Sequence, residues 1–326
     1  RWTVNPYVAG SSPAAGAKFP AFTLVRRKLC QKTDTAFFYC ALSSGLRKND
    51  RTGITLVMTK TLARLLNGLI RLITAFLPRW KRLTVRARLY DKLLPFEMVK
   101  VGEKSLKLFI PDRTCIYWAK EGPDSEPVTN AWIKSFSPDD TFVDIGANIG
   151  LYSLMAAAHG VSKVYAVEPN PFSFAVLARN IYCNGFDSII TPLCLAMNEN
   201  SSMVTFKLGG MQAGTIGNEI ASEDLHPDSI SLTAASFSVD ELFRIQKISG
   251  VNHLKIDIDG LELEILRGSA GLLSDPALKT ILVEDNSEND RDGMALSSFI
   301  EKFGFRQTDA WGHDTSNNKI FSRRSS

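Results

Sequence analysis

No two cysteines of this chain stand in a C-x-x-C pair, and the five present (Cys30, Cys40, Cys115, Cys183 and Cys194) are odd in number. That pattern argues against a zinc site or a disulfide framework and fits reduced, mostly buried thiols. A strong charge of one sign is also lacking. The net charge is +4 over 326 residues, too slight for a general nucleic-acid binder. No apolar run reaches the roughly 18 residues that a spanning helix needs. The sequon Asn200-Ser201-Ser202 is read as chance, since nothing else points to secretion. What remains is ordinary globular composition, 44% hydrophobic and 22% charged, enough to bury a core.

The chain opens without methionine, and residues 1–57 show little apolar periodicity. They read as a non-native or disordered leader, with the natural start expected near Met58. From there the pattern changes. Leu62, Leu65, Leu66, Leu69, Leu72, Ile73 and Phe76 fall on one helical face, and Lys60, Arg64 and Arg71 on the other. Pro78 stops this helix, and Arg79, Lys81, Arg82, Arg86, Arg88 and Lys92 follow. Residues 58–95 are therefore a basic amphipathic helical segment. It either packs its leucine face on the domain that follows, the reading favoured here, or lies on an anionic membrane surface through residues 58–92.

Residues 96–326 form the third region. A hairpin is expected over 98–110 and a short helix after Glu126-Pro127. The organising stretch is Phe142-Val143-Asp144-Ile145-Gly146-Ala147-Asn148-Ile149-Gly150, an apolar run, an acid and a glycine turn. A helix follows, then a second strand, Val164–Val167, closed by Glu168. Strands and helices alternate onward. Strands are read at 189–197, 203–208, 230–237, 254–260, 280–284, 305–308 and 319–321, and a loop at 209–227. This is an α/β chain with a mostly parallel sheet and helices on both faces.

A strand, a glycine turn, a helix and a strand ending in an acid is a usual way to hold a nucleoside. Gly146 and Gly150 lack Cβ, so backbone can approach a ligand. Ala147 and Asn148 complete the turn, and Glu168 can accept ribose hydroxyls. The turn is Gly-Ala-Asn-Ile-Gly. A pyrophosphate-binding dehydrogenase would want a glycine where Ala147-Asn148 stands. A cofactor without phosphate, such as S-adenosylmethionine, is less demanding there, and its positive end suits Asp144.

Through these motifs the sequence resembles the FkbM family of S-adenosylmethionine-dependent methyltransferases over about residues 97–310. The likeness runs through Glu126-Pro127-Val128-Thr129 with Trp132, Val143 to Gly150, and Val167-Glu168-Pro169. It continues through Ser238-Val239-Asp240-Glu241-Leu242 and Leu254-Lys255-Ile256-Asp257-Ile258-Asp259-Gly260-Leu261-Glu262. The departure is Asp259, where the family commonly has Glu. The resemblance implies a Rossmann-like class I methyltransferase fold and O-methylation of a hydroxyl on a sugar, glycolipid or natural-product scaffold. It also implies a cofactor set of Asp144, Gly146, Ala147, Asn148, Gly150, Glu168 and Glu126.

In such a fold the end of the fourth strand faces the methyl group. Asp257 is then the first choice for base or orienting residue, with Asp259 and Glu262 next. His253 lies at the far end of that strand and is read as structural, and His159 as a helix-end cap. Asp257, Asp259 and Glu262, with Glu284 and Asp285, could also hold Mg²⁺, the less favoured reading. The partner expected is a small-molecule or glycan hydroxyl, without nucleic acid. No Asn/Asp-Pro-Pro-Tyr/Phe element for a flipped base occurs. The location expected is cytoplasmic, with membrane association through residues 58–92 as its variant. Two other functions stand as alternatives: a nicotinamide oxidoreductase, and a non-catalytic membrane-surface module.

Overall fold

Side chains of a strand point alternately to its two faces, and in Thr141–Ile145 both faces carry buried apolar residues. Phe142 joins one hydrophobic core, and Val143 with Ile145 the other. A strand buried on both sides belongs in the middle of a sheet covered by helices. The computed structural model places it there. It describes residues 51–215, 219–220, 230–258, 260–284, 296–312 and 317–324.

Two units divide the chain, residues 1–85 and 86–326. The described part of the first holds α1 (Arg51–Ile73). It ends where the Thr74 hydroxyl donates to the Ile70 carbonyl at 2.7 Å, four residues before Pro78. Helix α2 (Arg79–Lys92) follows, so the segment expected to be helical holds two helices with Pro78 between them. Within the second unit, β1 (Phe96–Val101) and β2 (Lys104–Phe109) pair as an antiparallel hairpin. Gly102, at φ +60°, opens its two-residue turn. Next come α3 (Arg113–Lys120), the helical turn α4 (Gly122–Ser125) and α5 (Pro127–Lys134).

The core alternates from there: β3 (Thr141–Ile145), α6 (Leu151–His159), β4 (Lys163–Val167), α7 (Pro171–Cys183) and β5 (Ile190–Leu193). After β6 (Ala196–Met197), β7 (Ser202–Leu208), β8 (Glu219–Ile220), β9 (Ile230–Phe237) and α8 (Val239–Gln246), the core resumes with β10 (His253–Ile256). Then follow α9 (Glu262–Arg267), α10 (Ala270–Ser274), β11 (Thr280–Glu284), α11 (Leu296–Glu301), β12 (Phe305–Gln307) and β13 (Asn318–Arg323).

The central sheet has the order β12-β13-β11-β10-β3-β4-β5. β11, β10, β3, β4 and β5 run parallel, and β13 is antiparallel to both neighbours. This is the Rossmann-like methyltransferase arrangement, with the order reversing at β3 and β10, where open α/β sheets bind ligands. The segment 196–237 departs from a single-sheet expectation. Cys194 and Leu195 interrupt the run read as one strand, and β6, β9, β7 and β8 make a separate four-stranded sheet. β7 buries only Phe206 and Leu208, so it lacks the two apolar faces that a strand of the doubly covered central sheet needs.

Trp132 of α5 is fully buried and meets Phe136 and Phe142 edge-on at 4.8 and 5.8 Å. Burying a side chain of this size stabilises by about 3 kcal/mol. It seals one side of the sheet beneath the organising turn.

Candidate active site

The turn after β3 is built by protein contacts. The N–H groups of Gly146 and Ala147 both donate to the Val167 carbonyl, at 3.0 and 2.9 Å, pinning the turn to the end of β4. Gly146 has φ +85°, and a Cβ there would lie 1.9 Å from the Asp257 carbonyl oxygen. Gly150, at φ +90°, caps α6, and its Cβ would lie 2.4 Å from Cδ1 of Leu177. The sequence reading gave these glycines to ligand approach. Protein atoms already occupy the Cβ space at both; Gly146 lines the cleft with its backbone, and Gly150 lies off it, serving helix packing. Between them Asn148 takes φ +52°, a left-handed position that asparagine tolerates.

Glu168 is held by two backbone donors. Its Oε2 accepts from Asn148 N and its Oε1 from Asn170 N, each at 2.8 Å. Asn170 is fixed in turn as the cap of α7, its side chain accepting from Phe172 N at 3.0 Å. The carboxylate is thus aimed before any ligand arrives. Oδ1 of Asn148, close by, is buried without a hydrogen bond.

Glu168 and Asn148 line a cleft at the carboxyl ends of β3, β4 and β10, with Ala147, Tyr152, Thr215 and Asp257. Ile145, Val167, Leu195, Met197 and Phe206 supply its apolar wall. Counting the open mouth, it holds about 1030 Å³ of atom-free space. An apolar slot beside a few fixed polar groups suits a nucleoside. The fit to S-adenosylmethionine rests on the orphaned Asn148 Oδ1 beside the pre-aimed Glu168: one offers an acceptor to a donor, and the other offers charge to ribose hydroxyls.

Beneath the cleft lies a charged knot. Residues 253, 255 and 257 share one face of β10, and Lys255 stands opposite Asp144 in register. Lys255 is 1% exposed, and its Nζ donates to Oδ2 of Asp257 and sits 4.9 Å over the Tyr152 ring. Burial pulls the Lys255 pKa down, but the Asp257, Asp144 and Glu126 carboxylates outweigh it and push the pKa up to about 12. The ammonium therefore stays charged. Asp144 is fully buried and accepts from the Ser153 hydroxyl at 2.6 Å. Burial raises its pKa, against Lys255 and Ser153. It faces these two groups and is not among the residues that line the cleft. Its place on the α6 side of β3 is the cause. The Tyr152 phenol, raised by burial and then by Glu126, stays protonated.

The remaining candidates scatter. Glu126 stands off the cleft, accepting from Thr129 Oγ1 and Asn318 Nδ2, both at 2.9 Å. Gly150 is also off it. Asp259 and Asp285 lie outside the described residues. Glu262, 6% exposed, accepts from Gly260 N at 3.1 Å. Burial above all, then Glu284 and Asp257, push its carboxyl up to about 7 against the backbone N–H groups. Among the described residues no three His, Cys, Asp or Glu side chains gather to hold a metal ion. His159 ends α6 with its Nε2 buried and unbonded, while Gly160 makes the cap, so the histidine is no capping group.

Three participants escaped the sequence reading. Lys255 was quoted only as part of a motif, though a lysine inside an apolar strand is itself a signal. Tyr152 and Ser153 lie on the first turn of α6 and were legible only as helix.

Residues 144–307, about half of the chain, match the family described as the methyltransferase FkbM domain. The chain is 27% identical over 160 residues to the hexuronic acid methyltransferase AglP of Haloferax volcanii, a match covering 49% of this chain and 61% of that protein. It is 30% identical over 147 residues to Methyltransferase 1 of Beauveria bassiana, covering 40% and 59%. It is also 27% identical over 147 residues to the tRNA (guanine(37)-N(1))-methyltransferase of Batrachochytrium dendrobatidis, covering 44% and 30%. The chain thus spans about three-fifths of the length of the first two relatives.

Proposed function

The chain belongs to the FkbM methyltransferase family, and we propose that it transfers a methyl group from S-adenosylmethionine to a hydroxyl of a sugar, glycolipid or natural-product scaffold. The observation that carries this reading is one cleft holding both a pre-aimed carboxylate, Glu168, and a second, Asp257, at the end of a neighbouring strand. Glu168 and Asn148 would hold the ribose and amino-acid parts of the cofactor, and Val167, Leu195 and Met197 would flank its base. When bound, S-adenosylmethionine supplies an electrophilic methyl group.

The chain's own groups do the rest. Asp257, with Oδ2 tied to Lys255, turns its other oxygen to the acceptor hydroxyl and takes its proton as the oxygen attacks. Lys255 holds that carboxylate in one orientation, and the apolar wall excludes water. Glu262 backs the turn after β10. The relative named for hexuronic acid and the modest net charge favour a small acceptor over nucleic acid. For residues 58–92 two readings stand side by side, packing on the domain and contact with an anionic membrane surface. Among the described residues no helix is long and apolar enough to cross a membrane. Co-sedimentation of the full chain with anionic vesicles separates the two.

The test is methyl transfer from methyl-labelled S-adenosylmethionine to a panel of glycosides, glycolipids and polyketide-like alcohols. Label in a wild-type product, lost with Asp257→Asn, supports the reading. Absence of cofactor binding refutes it and favours a non-catalytic module, and binding of a nicotinamide cofactor instead would point to an oxidoreductase.

A further inference from the structure

Tyr152 stands on the first turn of α6 and lines the cleft. It is 7% exposed, and its hydroxyl is buried without a hydrogen bond. The ring has a use within the protein, since Lys255 Nζ lies 4.9 Å from its centroid. A phenylalanine ring would also serve that contact. The hydroxyl serves nothing of the kind, and a buried polar group left unpaired is costly to keep. Glu126 and Ser125 come near enough to act on its pKa, yet neither meets it in hydrogen-bond geometry. Glu126 is engaged by Thr129 and Asn318. Burial first, then Glu126 and Asp257, keep the phenol protonated, with Ser125 opposing. It is therefore a hydrogen-bond donor in want of an oxygen.

The place of that oxygen follows from the neighbours. Tyr152 and Asp257 flank one ammonium, because Lys255 donates to Asp257 Oδ2 and lies over the Tyr152 ring. Both residues line the cleft, and the Asp257 charge bears on the phenol. An acceptor that gives its proton to Asp257 thus has Tyr152 beside it. The attacking oxygen itself is a poor partner for the phenol. It gains positive charge as the methyl arrives, and a donor on its remaining lone pair would hold electron density back.

We propose that the Tyr152 phenol donates a hydrogen bond to a second acceptor oxygen, on the carbon next to the one methylated, so that the chain selects vicinal diols of the kind a sugar ring carries over isolated alcohols. The proposal rests on the methyltransferase reading. In the step, a lone pair of the acceptor oxygen forms the bond to the methyl carbon. The carbon–sulfur bond breaks, and its electrons leave with S-adenosylhomocysteine. The hydroxyl proton goes to Asp257. Tyr152 keeps its own proton and holds the neighbouring oxygen, which fixes the hydroxyl that faces the methyl group.

Tyr152→Phe keeps the ring and removes only the hydroxyl. Without ligand, the full-length variant should unfold thermally at or above the wild-type temperature. Unfolding roughly 3 °C or more below it, the worth of a satisfied hydrogen bond in a domain of this size, would give the hydroxyl a partner inside the protein and overturn the proposal. Affinity for S-adenosylhomocysteine, by calorimetry, should change less than roughly threefold, and a loss of about tenfold or more would assign the phenol to the cofactor and also overturn it. Methyl transfer is then measured for methyl glucoside, mannoside and galactoside and their single-deoxy analogues. Removing the hydroxyl beside the methylated position should lower wild-type kcat/KM by about 10–100-fold, and Tyr152→Phe should lower it similarly on the parent sugar, with little further loss when both changes are combined. Losses that multiply, a wild type indifferent to the neighbouring hydroxyl, or faster turnover of isolated alcohols overturn the proposal. A wild type that neither binds S-adenosylhomocysteine nor transfers methyl takes down the methyltransferase reading. One that does both yet fails these comparisons loses only the diol rule.

Discussion

Strand β10 carries a buried polar network at each end, and the two are built on opposite terms. At its start His253 stacks on Phe136 at 3.7 Å, and its ring nitrogens contact Asp140 Oδ2 at 2.9 Å and Thr280 Oγ1 at 2.7 Å. Trp132 Nε1 donates to the same Thr280 oxygen at 2.8 Å, and Lys279 to the other oxygen of Asp140. With the indole as donor, the threonine hydroxyl is left to donate to Nδ1, and the neutral imidazole gives its Nε2 proton to Asp140. Every partner there is used. At the far end Asp257 is tied on one oxygen only and remains 30% exposed, while Asn148 Oδ1 and Tyr152 Oη, both of residues that line the cleft, are buried without hydrogen bonds. Buried polar groups are normally satisfied, so a set left short marks where a ligand is expected. One end holds the sheet together, and the other holds capacity in reserve.

The comparison breaks most sharply at Asp257. Asp257→Asn keeps shape and hydrogen bonding but removes the base. Methyl transfer is expected to fall by about 10²–10⁴-fold in single-turnover assays, with cofactor affinity changed less than roughly threefold. Unchanged turnover would take Asp257 out of the chemistry.

Lys255→Met tests whether the upper network also carries stability. It leaves Asp144 and Asp257 without their shared cation, and removing one partner of a buried pair costs about 3–5 kcal/mol. Urea unfolding of the single variant and of Lys255→Met with Asp257→Asn should show the second change recovering part of the loss. Purely additive losses would mean that the pair is not coupled.

The lower network titrates. Burial pushes His253 down to about 4, with Asp140 contacts opposing and Lys279 assisting, whereas an unfolded histidine titrates near 6.5. As pH falls from about 6.5 to 4, the unfolded chain takes this proton first, so stability drops, by on the order of 3 kcal/mol, and levels below that window. Asp140 adds its own loss at lower pH. Burial would raise it, but Lys279, His253 and the Ser137 N–H together hold it below the usual carboxylate value. Urea midpoints at pH 7 and 5 should differ in the wild type, and the difference should shrink in His253→Gln. An equal slope in both would assign the acid sensitivity elsewhere.

Local grammar made much of this legible. The strand, turn, helix and strand around 142–168 are contiguous, and the acid closing β4 could be placed by spacing alone. The wrong end of β10 for His253 was also readable, because strand direction fixes it. What was lost depends on faces and on distant pairing. Asp144 shares the side of β3 occupied by Phe142, so it meets Ser153 and Lys255, a parity the sequence contains but a turn motif draws attention away from. The separate sheet of β6, β9, β7 and β8 depends on pairing between residues far apart in sequence. The space beside Gly146 is filled by Asp257, more than a hundred residues later, which no local pattern reveals.

The central claim is that the cleft beside Glu168 receives S-adenosylmethionine, and titration calorimetry tests it most directly. The wild type should bind one equivalent, and Glu168→Ala should bind about 10–100-fold more weakly, the worth of charge-assisted hydrogen bonds to a ribose. A wild type that takes up no S-adenosylmethionine, or a folded Glu168→Ala protein that binds it equally well, would contradict the account.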